Sequence, residues 1–291
     1  IQRKQMTTVD KPNVFPILVS GTFDDCQDIV KKGFSERSFL RDDQYLLAVN
    51  SINWVRIIGQ ICYYFYASLI VNKLSHPLNF SVPTGNFGNV FACYAASKMG
   101  MPLEKIIVAV NSNDILDRFF KNNDYSKKTV SETISPSMDI SVASNFERLV
   151  YDFFLNRDSS KCAKMFDNFP IKPIELDVET WQRKDSLFSS SKVDDLETTK
   201  TIQEIYQVNG YILDPHTAVA AVEAIKKSDS SNHFVVLSTA HPAKFPKVYE
   251  ELNIEINSLP AALSGLFKKE EHLHSFDADY NQVTDFIKLN N

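Results

Sequence analysis

Short β-branched or aromatic runs alternate with polar turns and helical periods along this chain. Residues 14–19 lead to Gly21-Thr22-Phe23-Asp24-Asp25 and a helix over 26–32. Residues 79–82 lead into Pro83-Thr84-Gly85-Asn86-Phe87-Gly88-Asn89 and a helix ending at Gly100. Residues 106–110 precede Asn111-Ser112-Asn113-Asp114 and a helix through Phe120. Residues 211–213 precede Asp214-Pro215-His216-Thr217 and a helix through Lys227. Residues 234–237 precede Ser238-Thr239-Ala240-His241-Pro242 and a helix from about Lys244. Strands alternating with helices predict an α/β fold, its mostly parallel sheet flanked by helices. Ligands of such sheets sit outside the carboxyl ends of the strands, where these polar turns fall.

The helix signals agree with this frame. Asp214 can cap and Pro215 suits the first helical position. Gly100 stands where a helix stops, with Pro102 beyond it. Residues 51–71 are apolar nearly all round and read as a buried helix, with Asn53, Arg56 and Gln60 on one polar stripe. Its apolar stretch 61–71 is too short to cross a bilayer. Residues 157–199 are polar, serine-rich and weakly periodic, and read as a partly ordered surface excursion rather than a domain boundary.

Composition narrows the function classes. The net charge is −5 and no Lys/Arg block stands out, so neither a nucleic acid nor an anionic membrane is the expected partner. The 4 cysteines have no CxxC or CxxH spacing and read as free thiols of a reducing cytoplasm. The 6 histidines make no zinc pattern. The chain opens on Ile1 in a polar stretch, with no signal-peptide pattern, and reads as a piece of something longer.

Only 8 glycines occur in 291 residues, and two of them, Gly85 and Gly88, share one strand–turn–helix junction. Such a junction aims several N–H groups and a helix dipole at one spot and makes an anion or phosphate site; the plain alternative is a tight connection. The turn lacks the Lys-Ser/Thr ending of a P-loop and the glycine spacing of a dinucleotide fingerprint. Thr239 either caps the next helix or presents a neutral hydroxyl to a heterocycle nitrogen. His241 is either a base or structural, and Lys244 reads as a solvated charge. Arg56, beside Asn53 and Ser51, needs a carboxylate or phosphate partner, or an internal Asp or Glu. Asp114, Asp117 and Arg118 read as a charge group bracing their helix, with Arg118 and Asn113 a second choice for an anionic ligand.

Together these segments resemble the threonine synthases, in the long form of fungi and many bacteria. The resemblance rests on Gln5-Met6-Thr7-Thr8, Gly21 to Asp28, Asn50-Ser51-Ile52-Asn53-Trp54, Pro83 to Asn89, Asn113-Asp114-Ile115-Leu116, Ser135-Pro136-Ser137-Met138-Asp139-Ile140, Ser144-Asn145-Phe146-Glu147-Arg148, Asp214-Pro215-His216-Thr217-Ala218 and Ser238 to Phe245. The resemblance implies a fold type II enzyme, similar to tryptophan synthase β, that uses pyridoxal 5'-phosphate to convert O-phospho-L-homoserine and water to L-threonine and phosphate. It implies that Gly85, Asn86, Phe87, Gly88 and Asn89 hold the cofactor phosphate and that Thr239 meets the pyridine nitrogen. Ser51, Asn53, Arg56, Asn113 and Arg118 are the substrate candidates.

The family's Schiff-base lysine lies upstream of the segment matching Ile1, so the resemblance implies a C-terminal portion, truncated at its N-terminus and inactive alone. Residues 1–75 then form the rear of a smaller domain, and 76–291 a larger cofactor-binding domain with a family-like tail from Leu259. The missing strands are expected to leave an exposed edge or apolar face. Lys244 is expected to point away from the ring. An O-phosphothreonine phospho-lyase and a non-catalytic phospho-ligand-binding remnant are the alternatives. A cytoplasmic monomer or homodimer acting on a small molecule is expected.

Overall fold

The computed structural model describes residues 2–21, 23–229, 233–256, 260–263 and 265–290. Thr22 and Leu259, which belong to two of the family-like segments, lie outside the described residues. In chain order come α1 (Gln2–Thr7), β1 (Ile17–Ser20), α2 (Phe23–Glu36), α3 (Trp54–Asn72), β2 (Leu78–Pro83), α4 (Gly88–Lys98), β3 (Leu103–Val110) and α5 (Ile115–Asn122). There follow α6 (Phe146–Leu149), α7 (Ser159–Asp167), α8 (Val178–Gln182), β4 (Phe188–Lys192), α9 (Asp195–Asn209) and α10 (Pro215–Lys227). The chain continues through β5 (Phe234–Val236), α11 (Pro246–Glu251), β6 (His274–Asp277) and α12 (Tyr280–Leu289).

These elements make two units, one of residues 1–48 with 256–291 and one of residues 49–255. In the first, β1 and β6 pair in parallel, Ile17 opposite His274. The Phe286 ring of α12 lies 4.5 Å from His274 and 5.2 Å from Phe276, fixing that helix on the ribbon. The boundary differs from the expected division at 75/76. Helix α3 packs on α4 and so belongs with the sheet that follows it, while the carboxyl-terminal strand pairs with β1.

The larger unit is built on a parallel sheet in the order β4-β3-β2-β5. Strand β2 is buried along its whole length, as a central parallel strand covered on both faces should be. Its one hydroxyl in that layer, Ser81, donates to the Ala220 carbonyl at 2.6 Å and so carries no unmet polar group. Val219, Ala220 and Val222 of α10 pack with Ile107 and Ala109 on one face. On the other, α3, α4, α5 and α6 enclose an aromatic core of Phe80, Phe87, Phe119, Phe120 and Phe146.

Three expectations are corrected here. Residues 211–213 are not a strand; they run directly into the cap of α10, and the Leu213 carbonyl accepts from the Tyr249 hydroxyl at 2.7 Å. The stretch 157–199 is ordered, containing α7, α8, β4 and the start of α9. Its serine run Ser189-Ser190-Ser191 forms edge strand β4 because β3 supplies the pairing partner and Ser190 bonds Asp117 at 2.8 Å, tertiary context overriding a weak strand propensity. Helix α3 is not buried all round. Ile57, Ile61, Tyr64 and Ser68 face inward, while Val55, Tyr66 and Ile70 are exposed. Among the described residues α3 alone has the length and composition of a membrane span, with mean hydropathy 1.3. It instead lies along α4, with the Trp54 ring 6.0 Å from Phe91.

Phe146 sits at the centre of the aromatic core, 4.5 Å from Tyr125, 4.7 Å from Phe119 and 5.4 Å from Phe87 between ring centroids. Phe146→Ala is expected to lower the unfolding free energy of the larger unit by about 3–5 kcal/mol, the range for large aromatic truncations. Denaturant unfolding followed by tryptophan fluorescence measures this; a loss below about 1 kcal/mol would show that the core closes over the cavity.

Candidate functional site

Strand β2 ends at Pro83, and the chain turns through Thr84 to Phe87 before α4 begins. The turn is fixed from below: Thr84 N–H donates to the Ala109 carbonyl at 2.8 Å, and the Thr84 hydroxyl to the Val82 carbonyl at 2.6 Å. It is fixed from the side by Asn145, whose backbone N–H and Nδ2 both donate to the Asn86 carbonyl at 3.0 Å. Phe87 occupies the left-handed region with φ 64° and buries its ring between Phe146 and Phe120. Phe87 gives α4 no side-chain cap. Among the described residues, no protein group accepts from the backbone N–H of Gly85, Asn86, Phe87, Gly88 or Asn89. That is a run of adjacent donors at the positive end of a helix.

The side chains of the turn add donors of the same sense. Asn89 Oδ1 accepts from the hydroxyls of Tyr63 and Tyr64, the latter at 2.7 Å. Burial pushes both phenols well above their usual range, so both stay protonated donors. Asn86 Oδ1 accepts from Ser144 Oγ at 3.1 Å, and Ser144 meets Ser51 Oγ at 3.2 Å. With the oxygens engaged, each asparagine amide is left with its N–H donors.

This turn forms one wall of a cavity of about 260 Å³. Gly85, Asn86, Phe87, Gly88, Asn89 and Thr239 all line it, as do Ser51 and Arg56. The structure thus brings together every phosphate candidate, the heterocycle-nitrogen candidate and the first-choice cation. No Asp or Glu is among the lining residues. Arg56 is exposed and has no ion pair among the described residues, so the internal carboxylate partner foreseen for it is not there. Lys244 also lines the cavity. It too has no ion pair among the described residues.

Three candidates fall elsewhere. Asn53 caps α3, accepting from Val55 N–H at 2.9 Å, and is not on the cavity wall. Asn113 is buried in a closed network. Its Nδ2 donates to Asn111 Oδ1 at 3.1 Å and Asp139 Oδ1 at 2.9 Å, and its Oδ1 accepts from Ser131 N–H at 2.8 Å. Arg118 is spent on its own neighbourhood, bonding Asp114 at 2.9 Å, Ser126 Oγ at 2.7 Å, and Asp124. Both border a different cavity, of about 220 Å³.

Residues passed over by the sequence reading complete the wall. His216 accepts from Ser137 N–H through Nε2 at 3.1 Å and faces Asp214 Oδ1 through Nδ1 at 3.2 Å. A backbone N–H only donates, so the ring is the neutral Nδ1–H form, donating to the carboxylate. Its ring also lies 5.0 Å from Phe245. Asp214-Pro215-His216-Thr217 read as a helix start and as one of the family-like segments, and nothing local marks its third residue as a cavity residue. His241 proves structural, its Nδ1 accepting from Ala243 N–H at 3.2 Å.

Gly85 is required for a reason other than a left-handed backbone. A Cβ there would stand 2.7 Å from the Ser137 carbonyl oxygen and 3.2 Å from Met138 Cα. Gly85→Ala is therefore expected to push away the turn at 135–139. Amide hydrogen exchange at Met138 and Asp139, which donate to Ser135 and Pro136, should accelerate at least tenfold. Unchanged protection there would mean that the turn yields without opening.

Comparisons with known proteins agree with this geometry. A family model described as "Threonine synthase, C-terminal" matches residues 217–287. The chain is 43% identical over 290 residues to the threonine synthase of Pseudomonas aeruginosa and 44% identical over 316 residues to that of Saccharomyces cerevisiae. Each match takes in 99% of this chain and 61% of the relative's length. The solved structure of the PLP-bound threonine synthase from Brucella melitensis superimposes with TM-score 0.92 at 37% identity, over 99% of this chain and 62% of that one. The yeast enzyme's structure does so with TM-score 0.86 at 39% identity, covering the same shares of the two chains.

Proposed function

We propose that this chain, which spans 61% of the length of the threonine synthases it matches, belongs to that family and that its cavity of about 260 Å³ is the pyridoxal 5'-phosphate and substrate site of such an enzyme. The whole protein would convert O-phospho-L-homoserine and water to L-threonine and phosphate in the cytoplasm. The observation that carries this reading is the convergence of unpaired N–H donors from Gly85 to Asn89 with two unpaired cations on a wall free of carboxylates. Such a wall suits a ligand set with several negative charges.

The residues present fit the cofactor. The backbone from Gly85 to Asn89, with the amides of Asn86 and Asn89, would hold its phosphate. Thr239 would offer the pyridine nitrogen a neutral hydroxyl, which does not hold a proton on that nitrogen as a carboxylate would. When bound, pyridoxal 5'-phosphate supplies the electron sink and the carbonyl for the chemistry at the substrate's carbons. Arg56 and Lys244 would bind the carboxylate and phosphate of O-phospho-L-homoserine, orienting it against Thr239 and the turn. The phospho-lyase alternative uses the same cradle and finds no separate support in this geometry.

Two measurements test the reading. Titrated with pyridoxal 5'-phosphate and with pyridoxal, following tryptophan fluorescence, the chain should bind the phosphorylated form at least tenfold more tightly. Equal affinities would remove the phosphate assignment. A chimera in which this chain replaces the matching three fifths of the yeast relative should release phosphate and threonine from O-phospho-L-homoserine. In that chimera Arg56→Ala should raise KM about tenfold or more with kcat little changed, the loss of one charge-assisted bond worth about 1.5–3 kcal/mol. Wild-type kinetics in that variant would return Arg56 to the solvent.

A further inference from the structure

Asp214 is the most deeply enclosed carboxylate beside the cavity, its side chain 0% exposed, and its only evident sequence role is to cap α10. It does more than cap. Oδ1 accepts the backbone N–H of His216 at 3.0 Å and of Thr217 at 3.3 Å, and faces the His216 ring at 3.2 Å. Oδ2 accepts the Thr217 hydroxyl in a short bond. Because the Thr217 proton points at Asp214, its oxygen is free to accept, and it accepts Thr239 N–H at 3.3 Å. Because the His216 Nδ1 proton points at Asp214, Nε2 is free to accept, and it accepts Ser137 N–H at 3.1 Å.

We propose that Asp214 is a positioning residue that sets the distance between the two anchor points of the cavity. One arm, through His216, holds Ser137, whose carbonyl stands against Gly85 of the phosphate turn. The other arm, through Thr217, holds Thr239. One rigid carboxylate thereby fixes both the phosphate end and the ring-nitrogen end, and a ligand that spans them is selected by length. The inference rests on the reading of this cavity as a pyridoxal 5'-phosphate site, and it goes beyond it in assigning the span to a residue that touches neither end.

The arms separate by substitution. Asp214→Asn keeps a good helix cap but turns an N–H toward Thr217, whose hydroxyl must then accept there and loses the carboxylate that fixed its proton, so the oxygen is no longer held in place for Thr239 N–H. His216→Asn keeps a group facing Asp214 but cannot reach Ser137, and His216→Gln restores an acceptor at the Nε2 position. Using the full 291-residue chain, amide exchange should accelerate at least tenfold at Thr239 in Asp214→Asn and at Ser137 in His216→Asn, each leaving the other site unchanged. Pyridoxal 5'-phosphate affinity should fall at least tenfold in both. Inorganic phosphate affinity should fall only in His216→Asn and recover in His216→Gln.

Thr217→Val, which removes the hydroxyl and leaves the cap, should reproduce the Asp214→Asn pattern should that variant fold poorly. Unchanged exchange at Thr239 in both Asp214→Asn and Thr217→Val, or equal loss of inorganic phosphate and pyridoxal 5'-phosphate in them, would overturn the proposal. The exchange readout does not involve the cofactor. Failure of the cofactor reading shows instead as equal affinity of the unaltered chain for pyridoxal and its phosphate.

Discussion

The site depends on a backbone held in a conformation it would not choose alone. A non-glycine residue in the left-handed region costs about 1–2 kcal/mol, and Phe87 stays there with φ 64°. Its ring makes the conformation the better choice overall. It lies edge-on to Phe146 at 5.4 Å and stacked near Phe120 at 6.4 Å, so relaxing φ would tear a large aromatic out of the core. The Asn86 carbonyl is meanwhile tied by two donors of Asn145. Strain that the surroundings over-determine is a mark of functional turns. Here its product is a run of N–H groups with no protein acceptor, ready for a ligand without rearrangement.

Charge decides which cations belong to that ligand. Around Asp114, Arg118 bonds at 2.9 Å and Lys192 at 3.0 Å. Burial raises the Asp114 carboxyl, but the bonds from Lys192 and Arg118 prevail and hold it below the usual carboxylate range. Arg118 is thus neutralised inside the fold. Arg56 and Lys244 have no such partner among the described residues and line the same cavity, so their attraction is available to whatever enters.

The frame of the larger unit was legible because 106–110 of β3 is a continuous apolar run, because β2 and β3 both end in polar turns, and because Asp214-Pro215 marks a helix start by local chemistry alone. Strand β4 was not legible. Phe188-Ser189-Ser190-Ser191-Lys192 has no strong pattern of its own and becomes a strand through its register with β3. Arg56 and Arg118 looked alike in sequence, one on an apolar helix and one beside acids. Only the fold shows which guanidinium is paired, since Asp124 and Ser126 reach Arg118 across a turn that no periodicity predicts. Thr239 could be singled out as a hydroxyl after a strand. His216 could not, because its partner Ser137 lies 79 positions away.

The same comparison explains how an acid can stand so near an anion site without opposing it. Asp214 bonds two residues that reach the cavity or its edge, yet its charge meets four donors: two backbone N–H groups, the Nδ1–H of His216 and the hydroxyl of Thr217. It also sits at the positive end of α10. A carboxylate so surrounded projects little field beyond its neighbours, and what reaches the cavity is the geometry of a neutral imidazole and a neutral hydroxyl. Placing the negative charge one bond behind the wall lets the fold use its rigidity while Arg56, Lys244 and the Gly85–Asn89 backbone keep the cavity itself positive.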